Sequence, residues 1–244
     1  MESSLYETGV RPAIDNFLLE ESKKIRNYGE FWSASSAGYC MRKVIFDRLG
    51  VDPVKEDARK QKVFTVGHIF HQWIQEITKN SGASIAQELE IIDDKLKIKG
   101  HIDDLVKTED GLILYDYKTQ NSRAFSYKKS GMNYYHRMQL GTYMMMLRNS
   151  DYPKLTEARI LKISKDDLRM TEEVLYWDDR LEYDVTEYWN KINNYLTDKK
   201  MPPCTCAEHE GGFMAKETYN PYYYNGEPCS PEWYKLWKER KESK

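Results

Sequence analysis

The chain has 244 residues, of which 31% are charged, and its formal net charge is −2. That length suits one elaborated domain that buries a full hydrophobic core. The near-neutral charge excludes a global basic field, so any contact with nucleic acid must come from local basic clusters. There is no run of about 18 apolar residues, and the N-terminus lacks the pattern of a signal peptide. We therefore expect a cytoplasmic protein without a membrane span, whose four cysteines are free or metal-binding.

The first part of the chain is predicted to be helical. Apolar residues at helical spacing predict amphipathic helices over residues 11–27, 37–50 and 53–81. The serine cluster 33–36 is expected to cap the second helix, which Gly50 closes. The apolar stripe of the third helix, expected to face the core, comprises Val63, Val66, Phe70, Trp73, Ile74 and Ile77.

The hydrophobic period changes at residue 84 to the alternation of strands. Strands over 84–92, 95–106 and 112–118 form an antiparallel meander, because turn residues occupy positions 93–95 and 109–111. The elements predicted after the meander are a helix over 133–148, strands over 157–164 and 170–176, and a helix over 178–196 that packs on the sheet.

The composition changes at residue 201 to a stretch rich in Pro, Gly and Tyr that lacks any period. A short basic helix over 231–244 follows it. We expect an α/β fold with a central mixed sheet flanked by helices, a helical N-terminal part and an irregular C-terminal tail that contains cysteines. The predicted division is a domain over residues 1–200 and an extension over 201–244 packed on it.

The central strand pair carries two acids and a lysine. Residues i and i+2 of a strand share a face, so Asp116 and Lys118 stand side by side, with Asp103 on the neighbouring strand. Two acids can hold a hard divalent cation, and a lysine can steady a hydroxide or a phosphate oxygen. This set suits metal-assisted hydrolysis of phosphodiesters. Asp104 is the rival to Asp103, but on a regular strand it shares the more buried face with Ile102.

Other charged residues lie near these strands. Glu88 and Glu90 are either further acids of a metal shell or acids of a solvated strand face. The segment 120–137 mixes aromatic residues with basic ones, which suits either a loop that tracks phosphates or a solvated charge run. Its basic residues are Arg123, Lys128, Lys129, His136 and Arg137.

Four motifs in this order resemble those of the RecB-type branch of the PD-(D/E)XK nuclease superfamily, and in particular its small CRISPR-associated and phage-exonuclease-like members. They are GxxxH at residues 67–71, GxxD at 100–103, DxK at 116–118 and QxxxY at 139–143. The resemblance covers about residues 33–200 and implies a restriction-endonuclease-like core.

The resemblance also implies roles for individual residues. His71, Asp103 and Asp116 would coordinate Mg²⁺ or Mn²⁺ together with the backbone carbonyl of Tyr117. Because an imidazole makes this shell softer than one of oxygen atoms alone, it should favour Mn²⁺. Lys118 would orient or activate the attacking water.

The last motif and the cysteines complete what the resemblance implies. Gln139 and Tyr143 would position the DNA strand and the lysine. Many members of the branch hold a [4Fe–4S] cluster through one cysteine before GxxxH and three near the C-terminus. The cysteines here are Cys40, Cys204, Cys206 and Cys229. Their number fits but their spacing departs from the family's close C-terminal trio, which leaves open a rearranged cluster, a zinc site with His209 as an alternative ligand, or free thiols.

We interpret the chain as a metal-dependent deoxyribonuclease, and specifically as an exonuclease on single-stranded DNA or DNA ends in replication, recombination or repair. An alternative is an endonuclease or a CRISPR-adaptation nuclease that works with partner proteins. Another is a non-catalytic DNA-binding subunit with the same fold, although such a subunit would be free to lose the acids and the lysine.

Overall fold

The computed structural model describes residues 9–23, 29–54, 58–126, 131–208 and 215–242. Among these residues no helix is both long and apolar enough to cross a membrane. The elements before the central strands are α1 (Val10–Lys23), β1 (Trp32–Ser33), a 3-10 turn (Ala34–Ser36), α2 (Met41–Leu49) and α3 (Ala58–Asn80). Residues 24–28, where the predicted first helix ends, and residues 55–57, within the predicted third helix, lie outside the described residues, and residues 53–54 are not helical.

The central strands and the elements after them follow the predicted order. They are β2 (Ser84–Asp93), β3 (Ile98–Thr108), β4 (Gly111–Gln120), α4 (Ser122–Ser126), α5 (Tyr134–Arg148), β5 (Glu157–Ser164), β6 (Met170–Tyr176), α6 (Asp179–Thr197) and α7 (Pro231–Glu242). Asn133 and Asp178 cap α5 and α6 by accepting hydrogen bonds from backbone N–H groups of the first turn.

The strands form one mixed sheet in the order β1-β3-β4-β5-β6, with β2 paired to β3 as well. The pairs β2–β3, β3–β4 and β5–β6 are antiparallel, whereas β1–β3 and β4–β5 are parallel. The connection from β4 to β5 must cross over because these strands are parallel, and it carries α4 and α5. The α/β fold with a central mixed sheet flanked by helices is confirmed.

Helices cover both faces of the sheet. On one face, Ile74 of α3 packs in a small cluster with Tyr117 of β4 and Ile163 of β5. On the other face, α5 is buried along nearly its whole length within the main core. Its methionines are buried there, where their flexible side chains can fill irregular gaps in the core.

The third helix does not bury its predicted apolar stripe. Val63, Val66, Trp73 and Ile77 are exposed, whereas Ile74 is buried. The physical reason is that α3 turns a polar face toward the acids of β3. On this face Thr78 donates to the carboxylate of Asp104, and the buried Gln75 donates to Glu88 of β2 and to the backbone carbonyl of Asp103. The prediction that the apolar stripe marks the inner face of α3 was therefore wrong for these four exposed residues, whereas Phe70 and Ile74 pack against the sheet as expected.

The expected serine cap and the expected position of α6 were wrong as well. Ser36 lies in the 3-10 turn, where its hydroxyl donates to the carbonyl of Ser33 at 2.6 Å, and Cys40 takes the N-cap position of α2. The helix α6 packs on α5 rather than on the sheet, because α5 already covers that face. An added Cβ at Gly141 of α5 would come within 2.7 Å of Leu181 of α6.

The tail after residue 200 packs against α2 in a second cluster that is separate from the main core. The buried members of this cluster are Cys40, Phe46, Val51, Cys206, Tyr222, Cys229, Trp233 and Trp237. We propose, on the basis of this cluster, that residues 201–244 form an extension packed on a domain over residues 1–200. Residues 243–244, the end of the predicted last helix, lie outside the described part of the chain.

Candidate active site

Strands β3 and β4 separate at the position of the acids. Their pairing runs from Thr108 and Gly111 to Asp104 and Tyr115, and beyond that point β4 pairs with β5 alone. In place of a ladder bond, the backbone N–H of Tyr117 donates to Oδ2 of Asp103 at 2.7 Å. The gap that opens between the two strands beyond this point is here called the fork. The first residues of β3 and the last residues of β4 border it.

Asp116 lies on β4 beyond the fork and is almost fully buried. Its Oδ1 accepts a hydrogen bond from Nε2 of Gln139 at 2.8 Å and one from Nζ of Lys118 at 3.1 Å. The lysine nitrogen also lies 2.8 Å from Oδ2 in an ion pair. That contact is not aligned as a hydrogen bond, so Oδ2 is buried without a hydrogen-bond partner among the described residues.

His71 reaches Asp103 from α3. Its Nδ1 lies 3.4 Å from Oδ2 of Asp103, and its ring meets that of Tyr117 edge-on. Burial, followed by the positive charge of Lys118, lowers the pKa of His71. The imidazole is therefore neutral at pH 7, which is the form that binds metal ions.

The two carboxylates and the lysine titrate as one group of charges. Burial, with the charge of Asp116 second, raises the pKa of Asp103 to about 8. Burial alone would lower the pKa of Lys118, but the charges of Asp116 and Asp103 outweigh it and raise that pKa. At pH 7 Asp103 is therefore largely protonated beside the charged pair of Lys118 and Asp116, and a divalent cation bound at the fork would favour its ionised form.

Gln139 and Tyr143 lie one turn apart on α5. Nε2 of Gln139 joins the two residues to the acids, because it lies 3.5 Å from the hydroxyl of Tyr143 as well as 2.8 Å from Asp116. The ring of Tyr143 packs where Gly100 of β3 has no side chain. An added Cβ at Gly100 would lie 2.7 Å from this ring and 2.7 Å from Ala34.

Asp104 points away from this group into a closed hydrogen-bond network. The donors to its carboxylate are the hydroxyls of Thr78, Ser84 and Tyr117 and the amide of Gln87. The side chain is fully buried. These bonds occupy both oxygens, so Asp104 is a structural acid, and Asp103 is the one that faces His71.

Gln75 is a site residue that the sequence did not reveal. It lies one turn after His71 on α3, and its Nε2 donates to Oε1 of Glu88 at 2.7 Å and to the carbonyl of Asp103 at 3.0 Å. Glu88, whose backbone has a φ of 47°, is thereby held beside Asp103. Glu90 pairs instead with Lys99 at 2.8 Å, away from this group. The spacing of Gln75 from His71 was the available signal.

Residues of the basic segment 120–137 lie partly near the site and partly away from it. His136 lies one turn before Gln139, and burial lowers its pKa to about 4, with the charge of Lys118 as the next cause. Arg137 lies 3.7 Å from Asp184 of α6. Lys128 and Lys129 lie outside the described residues, so the expectation that the segment tracks phosphates stays a prediction.

The donor set fits a divalent cation. A nearly neutral imidazole and two carboxylates converge on the fork, and the unbonded Oδ2 of Asp116 is available as a ligand. In the arrangement seen here Lys118 lies against Asp116, and the ligand atoms of His71, Asp103 and Asp116 do not form a closed shell. Binding an ion would therefore require the ammonium group to move aside from Oδ2.

A second group of ligands lies in the tail. The sulfur atoms of Cys40, Cys204, Cys206 and Cys229 all lie within 4.8 Å of one another. Among groups of three or more His, Cys, Asp and Glu in the described residues, only this group is close enough to hold a metal ion as it stands. His209, the alternative zinc ligand, lies outside the described part of the chain.

Comparison with known proteins identifies the family of the chain. A sequence model of the PD-(D/E)XK nuclease superfamily matches residues 79–205, just over half of the chain. The chain belongs to this superfamily. The matched region of this nuclease contains the acids, the lysine and the QxxxY motif, whereas His71 lies before it.

Solved structures resemble the nuclease in fold. SSO0001 superposes with a TM-score of 0.51 and 17% identity, covering 81% of this chain and 90% of that chain. LHK-Exo in complex with dAMP gives 0.46 and 16%, covering 70% and 94%. The alkaline exonuclease LHK-Exo from Laribacter hongkongensis gives 0.42 and 14%, covering 75% and 97%. Among curated protein sequences none matches this nuclease significantly.

Proposed function

We propose that this nuclease is a metal-dependent deoxyribonuclease, and that it acts as an exonuclease on single-stranded DNA or DNA ends. The observation that carries the proposal is the convergence of Asp103, Asp116 and Lys118 at the fork, with the buried Oδ2 of Asp116 free of hydrogen bonds. Membership of a nuclease superfamily supports the reaction class. Recombination or repair of DNA is the process that an end-directed activity would suit.

The residues that would hold Mg²⁺ or Mn²⁺ are His71, Asp103 and Asp116, with the carbonyl of Tyr117 as a further ligand. When bound, such an ion lowers the pKa of water and offsets charge on the scissile phosphate. The hydrogen bond from the N–H of Tyr117 fixes the orientation of Asp103. Because that bond spans the fork, it also links the two strands there.

Lys118 would take over a second role once it leaves Oδ2 of Asp116. Its pKa is raised, so it is charged at pH 7 and can orient the attacking water or hold a phosphate oxygen. Gln139 would then keep Asp116 in place through Oδ1. Tyr143 would steady Gln139 in turn, so that α5 supports the acid from behind.

The test is degradation of labelled linear and circular DNA in the presence of Mn²⁺ or Mg²⁺. We expect Asp116→Ala and Lys118→Ala each to reduce the rate by about 10²–10⁴-fold, because each removes a group that acts on the reacting phosphate or water. Glu90→Gln is the matched control, since this acid lies on the neighbouring strand and pairs with Lys99. Undiminished rates in both site variants would overturn the assignment.

The same assay separates the alternatives. An exonuclease leaves circular single-stranded DNA intact and degrades linear DNA from its ends, whereas an endonuclease cuts the circle. A nuclease that needs partner proteins would bind DNA and cleave it only when they are added. A non-catalytic subunit would bind DNA and cleave neither substrate with either metal.

A further inference from the structure

The four cysteines hold their sulfur atoms at separations that distinguish between two kinds of metal centre. Sγ of Cys40 lies 3.9 Å from Sγ of Cys204, and Sγ of Cys206 lies 3.5 Å from Sγ of Cys229. All four sulfur atoms lie within 4.8 Å of one another. The group draws on both ends of the chain, because Cys40 precedes α2 and the other three belong to the tail.

A four-iron cubane does not fit these separations. In such a cluster each thiolate binds its own iron at one corner. Neighbouring sulfur atoms are therefore separated by the iron–iron edge and by two bonds that point outward. Four thiolates on a single ion lie much closer together. With metal–sulfur bonds of about 2.3 Å, a tetrahedron places its sulfur atoms about 3.8 Å apart. The Cys206–Cys229 and Cys40–Cys204 pairs, at 3.5 and 3.9 Å, lie on either side of this value.

The spacing of the cysteines along the chain points in the same direction. Cys204 and Cys206 are separated by a single residue, and their sulfur atoms belong to the same close group. The resemblance to cluster-containing nucleases implied a close trio near the C-terminus, yet Cys229 lies 23 residues after Cys206. Sequence and geometry thus both depart from the iron–sulfur arrangement.

The surroundings of the sulfur atoms are those of a closed structural site. Cys40, Cys206 and Cys229 are buried, and Cys204 is half-buried. The buried amide of Asn220 donates to Sγ of Cys206 and to Sγ of Cys229, each at 3.4 Å. Hydrogen bonds of this kind orient metal-binding thiolates and stabilise their charge.

The N-terminus of α2 supplies the fourth corner. Cys40 is the N-cap residue of α2, where the partial positive charge of the helix favours a thiolate. The backbone N–H of Thr205 donates to its sulfur at 3.4 Å. This hydrogen bond joins Cys40, at the start of α2, to Thr205, which lies between the two ligands Cys204 and Cys206.

We propose that Cys40, Cys204, Cys206 and Cys229 bind a single Zn²⁺ in tetrahedral geometry, and that this ion joins the tail to α2. Four protein thiolates leave no open position for water, so the ion is structural and takes no part in phosphodiester cleavage. Removing it separates the tail from α2 and lowers the stability of the second cluster. The fork is a separate site with a different preference for metal ions, since its ligands are carboxylate oxygens and the imidazole of His71.

The first experiment is elemental analysis of the full chain, purified without oxygen from cells supplied with both iron and zinc. We expect about one zinc ion per chain, no acid-labile sulfide and no broad visible absorption. Replacing zinc by Co²⁺ should give the intense visible bands of a tetrahedral thiolate complex. Iron and sulfide in equal amounts, near four of each, would overturn the proposal in favour of a cubane. Metal-free protein that gives no thiolate bands with Co²⁺ would overturn it as well.

Variants locate the ion and keep the two metal sites apart. Cys204→Ser, at the half-buried ligand, should lose most of the zinc and the cobalt bands, and its unfolding temperature should no longer respond to a chelator. Thr205→Ala is the matched control, because it changes the neighbouring side chain and keeps the backbone N–H. Asp116→Ala should retain the zinc fully. Zinc lost from Asp116→Ala but kept in Cys204→Ser would place the ion at the fork and contradict the proposal.

Discussion

Tyr117 bonds two adjacent acids through two different groups. Its backbone N–H donates to Asp103 at 2.7 Å, while its hydroxyl donates to Asp104 at 2.8 Å. One residue of β4 therefore holds Asp103 at the fork and Asp104 in the buried network. The backbone carbonyl of Tyr117 is also the expected fourth ligand of the metal ion. A change to the side chain would therefore affect the bond to Asp104, whereas a change to the backbone would affect Asp103 and the metal ligand.

The first prediction concerns the loss of folding stability that the ionisation of Asp103 causes. Its pKa is about 8 in the folded chain, against a usual value near 4, because of burial and the charge of Asp116. Between these pH values the folded chain binds more protons at this carboxyl than the unfolded chain, so stability falls as pH rises through that window. Asp103→Asn removes the ionisation, while its amide oxygen still accepts from Tyr117.

We expect Asp103→Asn in EDTA to unfold at a higher temperature than the wild type at pH 9, and the difference to vanish below pH 4. A gain of about 2 kcal/mol would correspond to roughly 4–8 °C in a chain of this size. Differential scanning calorimetry across this pH range measures it. A difference that stays constant with pH would show that ionisation of Asp103 is not the cause. The variant should also lose nuclease activity.

Residue types and their order predicted most of the candidate site, but only for residues that belong to motifs. His71, Asp116 and Gln139 could be assigned because each stands at a fixed spacing from a partner. Gln75 was missed because none of the four motifs contains it, although it stands four residues after His71 on α3. The network around Asp104 draws donors from three elements, and no local sequence pattern reports which elements will meet.

At the scale of elements, two glycines of the motifs, Gly100 and Gly67, differ in whether packing requires them. Gly100 allows β3 to approach the ring of Tyr143 and Ala34, since an added Cβ would lie 2.7 Å from each. Gly67 lies within α3, and an added Cβ there would meet only Oγ1 of Thr119 at 3.4 Å, an ordinary contact. The first glycine is required for packing, and the second is not.

The second prediction compares alanine at these positions. Gly100→Ala should destabilise the protein by about 1–3 kcal/mol through overpacking and displace Tyr143 from Gln139. Gly67→Ala should keep or raise stability, because alanine in a helix interior is favoured over glycine by about 1 kcal/mol. Thermal unfolding followed by circular dichroism distinguishes them. Equal losses in both variants would mean that α3 and β4 lie closer than described.

Local patterns predicted strands better than helix faces. The bounds of β5 and β6 followed from alternation between clear turns, and both agree with the structure. The inner face of α3 could not be predicted, because an apolar stripe normally faces the core and here the polar bonds of Gln75 and Thr78 prevail. Such a reversal depends on buried acids of another element, which the helix sequence does not contain.

At the scale of the whole molecule, two tryptophans report on whether the tail is part of the folded unit. Trp233 is buried in the second cluster, and its Nε1 donates to the carbonyl of Asp52 at 2.8 Å. Trp73 of α3 is 41% exposed. The tail thus contributes a buried anchor, whereas α3 presents the same residue type to the surface.

The third prediction follows from this contrast. Trp233→Ala should lower the free energy of unfolding by about 3–5 kcal/mol, since it leaves a cavity and an unpaired carbonyl. Trp73→Ala should change it by no more than about 0.5 kcal/mol. Denaturant unfolding monitored by circular dichroism provides both values. A small loss for Trp233→Ala would show that the tail unfolds independently of the rest.

The positions of the four cysteines along the chain have a consequence for synthesis. The residues around the fork lie in one continuous stretch, from His71 to Tyr143, and can meet early. Cys40 must wait for partners that begin 164 residues later. At about 5–20 residues per second, that interval is roughly 8–30 s on the ribosome. A nascent chain therefore carries the Cys40 thiol without its three partners while the residues around the fork are already made. With the proposed zinc site, the supply of zinc and of reductant during those seconds would affect how many chains complete it.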